Sequence, residues 1–298
     1  MRVFVTGASG FIGSAVVAEL RSAGHQVLGL SRSEVSARAI VAAGAEAHHG
    51  ALDDLERLAA GAARCDAVLH LAFDHDFSRF AESARAEARA LDALCGALEG
   101  SGRPLVIASG TLGLAPGRVA SEQDQIDFDA PASPRAAGVK IALAAVERGV
   151  RAVIVRLPPS VHGAGDHGFV ARLVEIARQR GVCAYVGDGS SRWPAVHRRD
   201  AAALFRLAME HAPAGATLHA VDDEAVAQHD IAAAIAEGLR LPLVSIAPEQ
   251  AADHFGWLAP WLALDSPASS AITQQQLAWH PDGPKLLADL AAGHYFAT

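Results

Sequence analysis

Aromatic side chains are scarce in this 298-residue chain: they make up 5% of it, with ten Phe, four Trp and only two Tyr. Any core must therefore be filled mainly by small aliphatic residues, and the 51% hydrophobic share, rich in Ala, Leu and Val, is suited to helices alternating with buried strands. Cysteine is almost as rare. Cys65, Cys95 and Cys183 are odd in number and far apart, which excludes a disulfide framework, fits a reducing compartment and makes them packing residues. Basic runs are lacking: 25 Lys and Arg face 33 Asp and Glu for a net charge of −8, so nucleic acid is not an expected partner. No apolar run reaches the roughly 20 residues that cross a bilayer. The opening MRVFVTGASG has neither the basic leader nor the apolar segment of a secretory signal, so a cytoplasmic protein without a membrane partner is expected. The 14 histidines form no H-E-x-x-H or comparable cluster, and no metal site is expected. A G-K-[ST] phosphate loop and a G-x-S-x-G elbow around Ser109 are both missing, which argues against a nucleoside triphosphatase and an α/β-hydrolase.

What is present is a rhythm of short apolar runs at 2–6, 26–30, 67–71, 104–108 and 152–157, each apolar on consecutive positions like strands buried on both faces of a parallel sheet. Between them, 13–23 and 81–98 carry helical spacing. The pattern predicts an α/β fold, a doubly wound parallel Rossmann-type sheet with a smaller C-terminal substrate lobe. Residues 1–160 form the expected dinucleotide-binding domain, and 161–298 mainly the substrate lobe, with some segments returning to the sheet.

Gly7, Gly10 and Gly13 stand as G-x-x-G-x-x-G between the first strand and the first helix. Missing side chains let backbone approach a pyrophosphate, and a helix N-terminus supplies free N–H groups and partial positive charge. Ser9, Phe11 and Ile12 complete this candidate cofactor loop. The second strand ends in GLSRS, with no acid to accept from a ribose hydroxyl; Ser31 and Arg32 instead suit a 2′-phosphate, which favours NADP, with NAD as the alternative.

The motif TGASGFIG, followed by HLAF, IASGTLG, VRLPPSVHG and WPAVHRRDAA, resembles the extended or atypical short-chain dehydrogenase/reductases, the NAD(P)-dependent epimerase/dehydratase-like proteins, over most of the chain. The resemblance implies that Leu71, Ala72 and Phe73 line the cofactor, that Pro158 to Val161 border the nicotinamide, and that Leu52, in HHGALDD, neighbours the adenine. It also implies a Ser or Thr holding the substrate carbonyl, where Ser109 and Thr111 stand, and a Tyr four residues before a Lys. Lys140 fits the lysine, but Ala136 occupies the tyrosine position, and the two tyrosines, Tyr185 and Tyr295, lie elsewhere.

Three explanations compete: a substitute acid or base, with His162, His75 or Asp76, and Lys140 as candidates; proton handling by water or substrate; or binding without turnover. His75, between Asp74 and Asp76, is expected to have a raised pKa. Trp193 and His197 are candidate substrate-binding residues. The expected activity is NADP-dependent oxidation or reduction of a small carbonyl, imine or alcohol. The alternatives are a non-catalytic NADP-binding regulator or scaffold and an epimerase or dehydratase. The expected partner is a small-molecule substrate, and a homodimer is left open.

Overall fold

The computed structural model describes residues 1–76, 79–115, 117–128 and 135–297. Strand and helix alternate through β1 (Arg2–Thr6), α1 (Phe11–Ser22), β2 (Gln26–Ser31), α2 (Glu34–Ala42), β3 (Glu46–His49), α3 (Leu55–Ala63), β4 (Ala67–His70), α4 (Phe80–Leu98), β5 (Pro104–Gly110), α5 (Ala136–Ala144) and β6 (Arg151–Leu157). After them come β7 (Ser160–His162), α6 (Phe169–Arg180), β8 (Cys183–Val186), β9 (Arg192–His197), α7 (Arg198–His211), β10 (Thr217–His219), β11 (Asp223–Ala227) and α8 (Gln228–Leu239). The last elements are β12 (Leu243–Ile246), α9 (Ala251–Phe255), α10 (Ala259–Leu262), α11 (Ala271–Leu277) and α12 (Leu286–Ala291).

Seven parallel strands run in the order β3, β2, β1, β4, β5, β6, β10. Chain order reverses between β1 and β4, and at such a point the loops diverge to leave a crevice beyond the carboxyl ends of the strands. Successive side chains explain the three layers. Val3, Val5, Val106, Val153 and Val155 face a core shared with α1 and α7, whereas Phe4, Leu105, Ile107 and Ile154 face α3, α4 and α5. Val3, Phe4 and Val5 are wholly buried. Their burial supplies on the order of 6 kcal/mol of transfer free energy before ordering entropy, so the loop leaving β1 starts from a fixed strand.

The Rossmann-type sheet is thus as expected, with one strand that the apolar pattern did not mark. β3 has the polar sequence EAHH and sits at the sheet edge, where one buried position suffices, so it carries no apolar run. The segments beyond residue 161 that return are β10, which joins the large sheet, and α7, which joins its α1 layer.

The other elements form a second core. β7, β9 and β11 make a three-stranded sheet, and β8 pairs with β12. Leu173 and Ile176 of α6, Ile231 and Ile235 of α8, Phe255 and Leu286 pack over them. β9, containing PAVH, belongs to this small sheet and does not return to the large one. Cys65, Cys95 and Cys183 are buried, and burial pushes their thiols up to about 11, which leaves them inert packing groups. Among the described residues no helix is long and apolar enough to cross a membrane.

Candidate functional site

The turn from β1 into α1 is built of close backbone contacts. Gly7 has φ +70°, and a Cβ there would lie 2.9 Å from the Ala72 nitrogen. A Cβ at Gly13 would lie 1.9 Å from the Gly7 carbonyl oxygen, so the first turn of α1 rests on the loop before it. Gly10 precedes the helix with no side-chain cap. The first-turn N–H groups of an α-helix have no intrahelical acceptor and carry the positive end of its dipole. Ser9 and Gly10 are exposed beside them, while Phe11 and Ile12 are half-buried. These features fit a pyrophosphate: a cradle that side chains would fill, lined with free donors.

Thr6 ties this turn to the end of β4. Its Oγ1 accepts from the Leu71 and Ala72 N–H groups, each at 3.2 Å, and lies 3.0 Å from Nδ1 of His70. With two donors already pointing at it, the hydroxyl gives its own proton to His70, which therefore carries its hydrogen on Nε2. Burial first, then the charge of Arg135, pushes the His70 pKa down to about 3, so the ring is neutral.

At the far end of β2, Arg32 is exposed and forms no ion pair with a described residue. Ser31 departs from expectation: it is buried, and its hydroxyl turns 3.4 Å from the His48 carbonyl of β3. The hydroxyls beside Arg32 are instead those of Ser33 and Ser36, which bond reciprocally with each other's backbone at the start of α2. Leu52 is half-buried against the α3–α4 layer.

The other end of the crevice lies past β4, β5 and β6. Leu71, Ala72 and Phe73 leave β4 half-buried, and Pro158 is buried beside the half-buried Val161 after β6. Ser109, buried at the end of β5, follows Leu105 and Ile107 on the α4–α5 side. Thr111 is wholly enclosed, its Oγ1 without a partner among the described residues. The same loop reaches the second core, where Leu112 packs and the Gly113 N–H donates to Ser266 Oγ at 2.9 Å. Lys140 stands on the exposed side of α5, opposite Val139 and Ala142, and pairs with no described residue.

Sequence reasoning missed Arg135 and Glu87. Glu87 is buried on α4 and accepts two hydrogen bonds from Arg135, from Nε at 3.0 Å and Nη2 at 2.6 Å. Nη2 also donates to the Ala108 carbonyl at 3.0 Å, and the guanidinium lies 4.1 Å from the centre of the Phe73 ring. Burial raises the Glu87 pKa, with Arg135 opposing it. One sign was available: Glu87 interrupts the apolar stripe it shares with Leu91, Leu94 and Leu98, where an acid needs a buried partner.

His75 keeps a solvent-facing edge, yet the protein around it and then Arg135 lower its pKa, against the rise expected from its flanking acids. His162 is committed to a buried hydrogen bond. It is wholly buried, its Nδ1–H donates to Asp289 at 2.8 Å, and its Nε2 has no described partner. Burial works against the Asp289 carboxylate, but the His162 bond and nearby imidazoles hold its pKa below the ordinary value. A second fastening lies alongside, where the Tyr295 hydroxyl donates to Asp166 at 2.8 Å and accepts from the Gly163 N–H at 3.3 Å.

The two candidate substrate residues each have a structural partner. Trp193 is wholly buried in the second core, its indole N–H donating to the Trp261 carbonyl at 3.3 Å. His197 caps α7, accepting from the Arg199 N–H at 3.3 Å, and burial, then the neighbouring His162, pushes its pKa down to about 4. An apolar void among Leu173, Ile176 and Phe255 has about 20 Å³, room for a single water and no substrate.

The family model described as "NAD dependent epimerase/dehydratase family" matches residues 3–221. An uncharacterised protein of Schizosaccharomyces pombe is 46% identical over 297 residues, 99% of this chain and 100% of that one. A 4-hydroxy-2-methyl-3-oxo-4-farnesyl-3,4-dihydroquinoline-1-oxide ketoreductase of Stigmatella aurantiaca is 30% identical over 223 residues, 72% of this chain and 66% of its own. A double mutant of the dTDP-glucose 4,6-dehydratase DesIV of Streptomyces venezuelae, solved with NAD bound, has the same fold, with a TM-score of 0.81 at 19% identity over 99% of this chain and 96% of its own. The chain belongs to the NAD dependent epimerase/dehydratase family, whose model spans residues 3–221.

Proposed function

We propose that this chain is an NADP-dependent oxidoreductase that interconverts a small carbonyl or imine with its alcohol or amine. The observation that carries the reading is a juxtaposition: the backbone cradle of Gly7, Gly10 and Gly13 after β1 and the Ser109 hydroxyl at the end of β5 lie at the same carboxyl edge of one sheet, to either side of the point of reversal. The Stigmatella relative, named a ketoreductase, supports the reaction class.

In this reading the first turn of α1 takes the pyrophosphate, and Arg32 with Ser33 takes the 2′-phosphate of the adenosine. Leu71, Ala72, Phe73, Pro158 and Val161 border the dinucleotide. When bound, a nicotinamide dinucleotide supplies or accepts the hydride. Ser109 donates a hydrogen bond to the substrate oxygen and so favours the charge that develops there. His162 is enclosed, His75 is held neutral and Asp76 accepts a hydrogen bond from Arg79, so in this reading Lys140, one turn beyond Ala136, delivers the proton.

The test is titration of the purified protein with NADPH and NADH by fluorescence, then a panel of ketones, aldehydes and imines with Ser109→Ala alongside. Tighter NADPH binding and turnover lowered by roughly 10²-fold in Ser109→Ala, with cofactor affinity kept, are expected. A preference for NADH removes the Arg32 argument, and binding without turnover across the panel points to a regulator.

A further inference from the structure

Arg135 is assembled as a presented donor. Of its five N–H hydrogens, those on Nε and Nη2 are taken by the buried Glu87 carboxylate and the Ala108 carbonyl, the residue before Ser109. Nη1 has no partner among the described residues, and the side chain is 25% exposed against 3% for Glu87, so the pair is anchored at the acid and open at the arginine. Phe73, a residue of the HLAF segment, supports the guanidinium face at 4.1 Å. The next residue is Ala136, whose methyl offers no polar group. A cation with spare donors therefore lies between the ends of β4 and β5.

Resting on the oxidoreductase reading above, we propose that Arg135 Nη1 binds the reacting oxygen of the substrate, together with Ser109. The partner chemistry follows from Glu87. Because the carboxylate cancels the guanidinium charge, the pair is neutral overall and suits the dipole of a neutral carbonyl better than a carboxylate, which would meet Glu87 as well. An arginine keeps its proton at any working pH, so Arg135 orients and polarises the oxygen and does not deliver the proton.

The experiment uses NADPH-loaded protein and isobutyramide, a carbonyl that is not reduced, with acetate as the anionic comparison. The variants are Arg135→Lys and the double variant Glu87→Gln/Arg135→Gln, which leaves no unpaired buried charge and whose folding is checked by thermal melting. Expected is an isobutyramide affinity about 10- to 100-fold weaker in the double variant, as for a lost hydrogen bond to a charged donor. NADPH affinity stays within about twofold, and Arg135→Lys keeps part of the binding. Equal isobutyramide binding by wild type and double variant overturns the assignment, as does acetate binding in preference to the amide. So does NADPH-loaded wild type that neither binds the amide nor turns over any carbonyl. Failure to bind NADPH or NADH is a separate outcome that removes the oxidoreductase reading itself, and this one with it.

Discussion

Lowering the pH should weaken the fold through His70, and the amount can be worked from its surroundings. Folded His70 titrates at about 3, against an ordinary 6.5. Its folded value is depressed, so the unfolded chain binds the proton first and stability is lost as pH falls below the unfolded value. Each pH unit between about 6.5 and 5 costs about 1.4 kcal/mol, or roughly 2 kcal/mol by pH 5. His197, down at about 4, contributes a similar loss, and His75, His219 and His254 shift the same way. The raised carboxyls of Glu87, Asp166 and Asp200 work in the opposite sense. A variant therefore isolates the single group: His70→Asn keeps an acceptor for the Thr6 hydroxyl and does not titrate. Urea unfolding at about pH 7 and pH 5 should give a smaller loss in His70→Asn than in wild type, by about 2 kcal/mol. Equal losses in the two proteins would refute the reasoning. In the folded chain His70 stays neutral over that interval, so its hydrogen bond with the Thr6 hydroxyl is kept.

Gly13→Ala puts a methyl against the Gly7 carbonyl, and dinucleotide affinity measured by fluorescence should drop at least about tenfold with about 1–3 kcal/mol of lost stability. Arg32→Ala should weaken NADPH about 10- to 100-fold and leave NADH nearly unchanged, as ratios of dissociation constants will report. Trp193→Ala should cost about 3–5 kcal/mol in urea, while Trp193→Phe leaves NADPH binding intact; selective loss of substrate affinity instead would restore Trp193 to the site. Asp289→Ala strands the buried His162 ring and should lower stability by about 2–3 kcal/mol, read from the urea midpoint.

The features that could be read directly from the chain were those with a local cause. The cradle depends on glycines three apart beside a strand of Val and Phe, and each is visible within a dozen positions. The polar edge strand β3 left no apolar trace because only His48 among its residues turns fully inward. His75 was misread for a different reason: its neighbours in sequence are acids, but its neighbours in space include Arg135, brought in from a helix laid against α4. The Arg135–Glu87 pair was hidden likewise, since neither charge is unusual until α4 and α5 meet. Trp193 and His197 fall in a motif similar to substrate-facing segments of relatives, yet local packing and capping claim both side chains.

The segment from Ser160 to Gly168, which borders the crevice, is fastened by residues 127 to 132 positions downstream: Asp289 to His162, and Tyr295 to Asp166 and Gly163. Contacts so distant along a polypeptide form late, after the entropy of closing a long loop has been overcome. A refolding chain should thus regain its helical circular dichroism before it regains ligand binding, with the crevice wall the last part to mature.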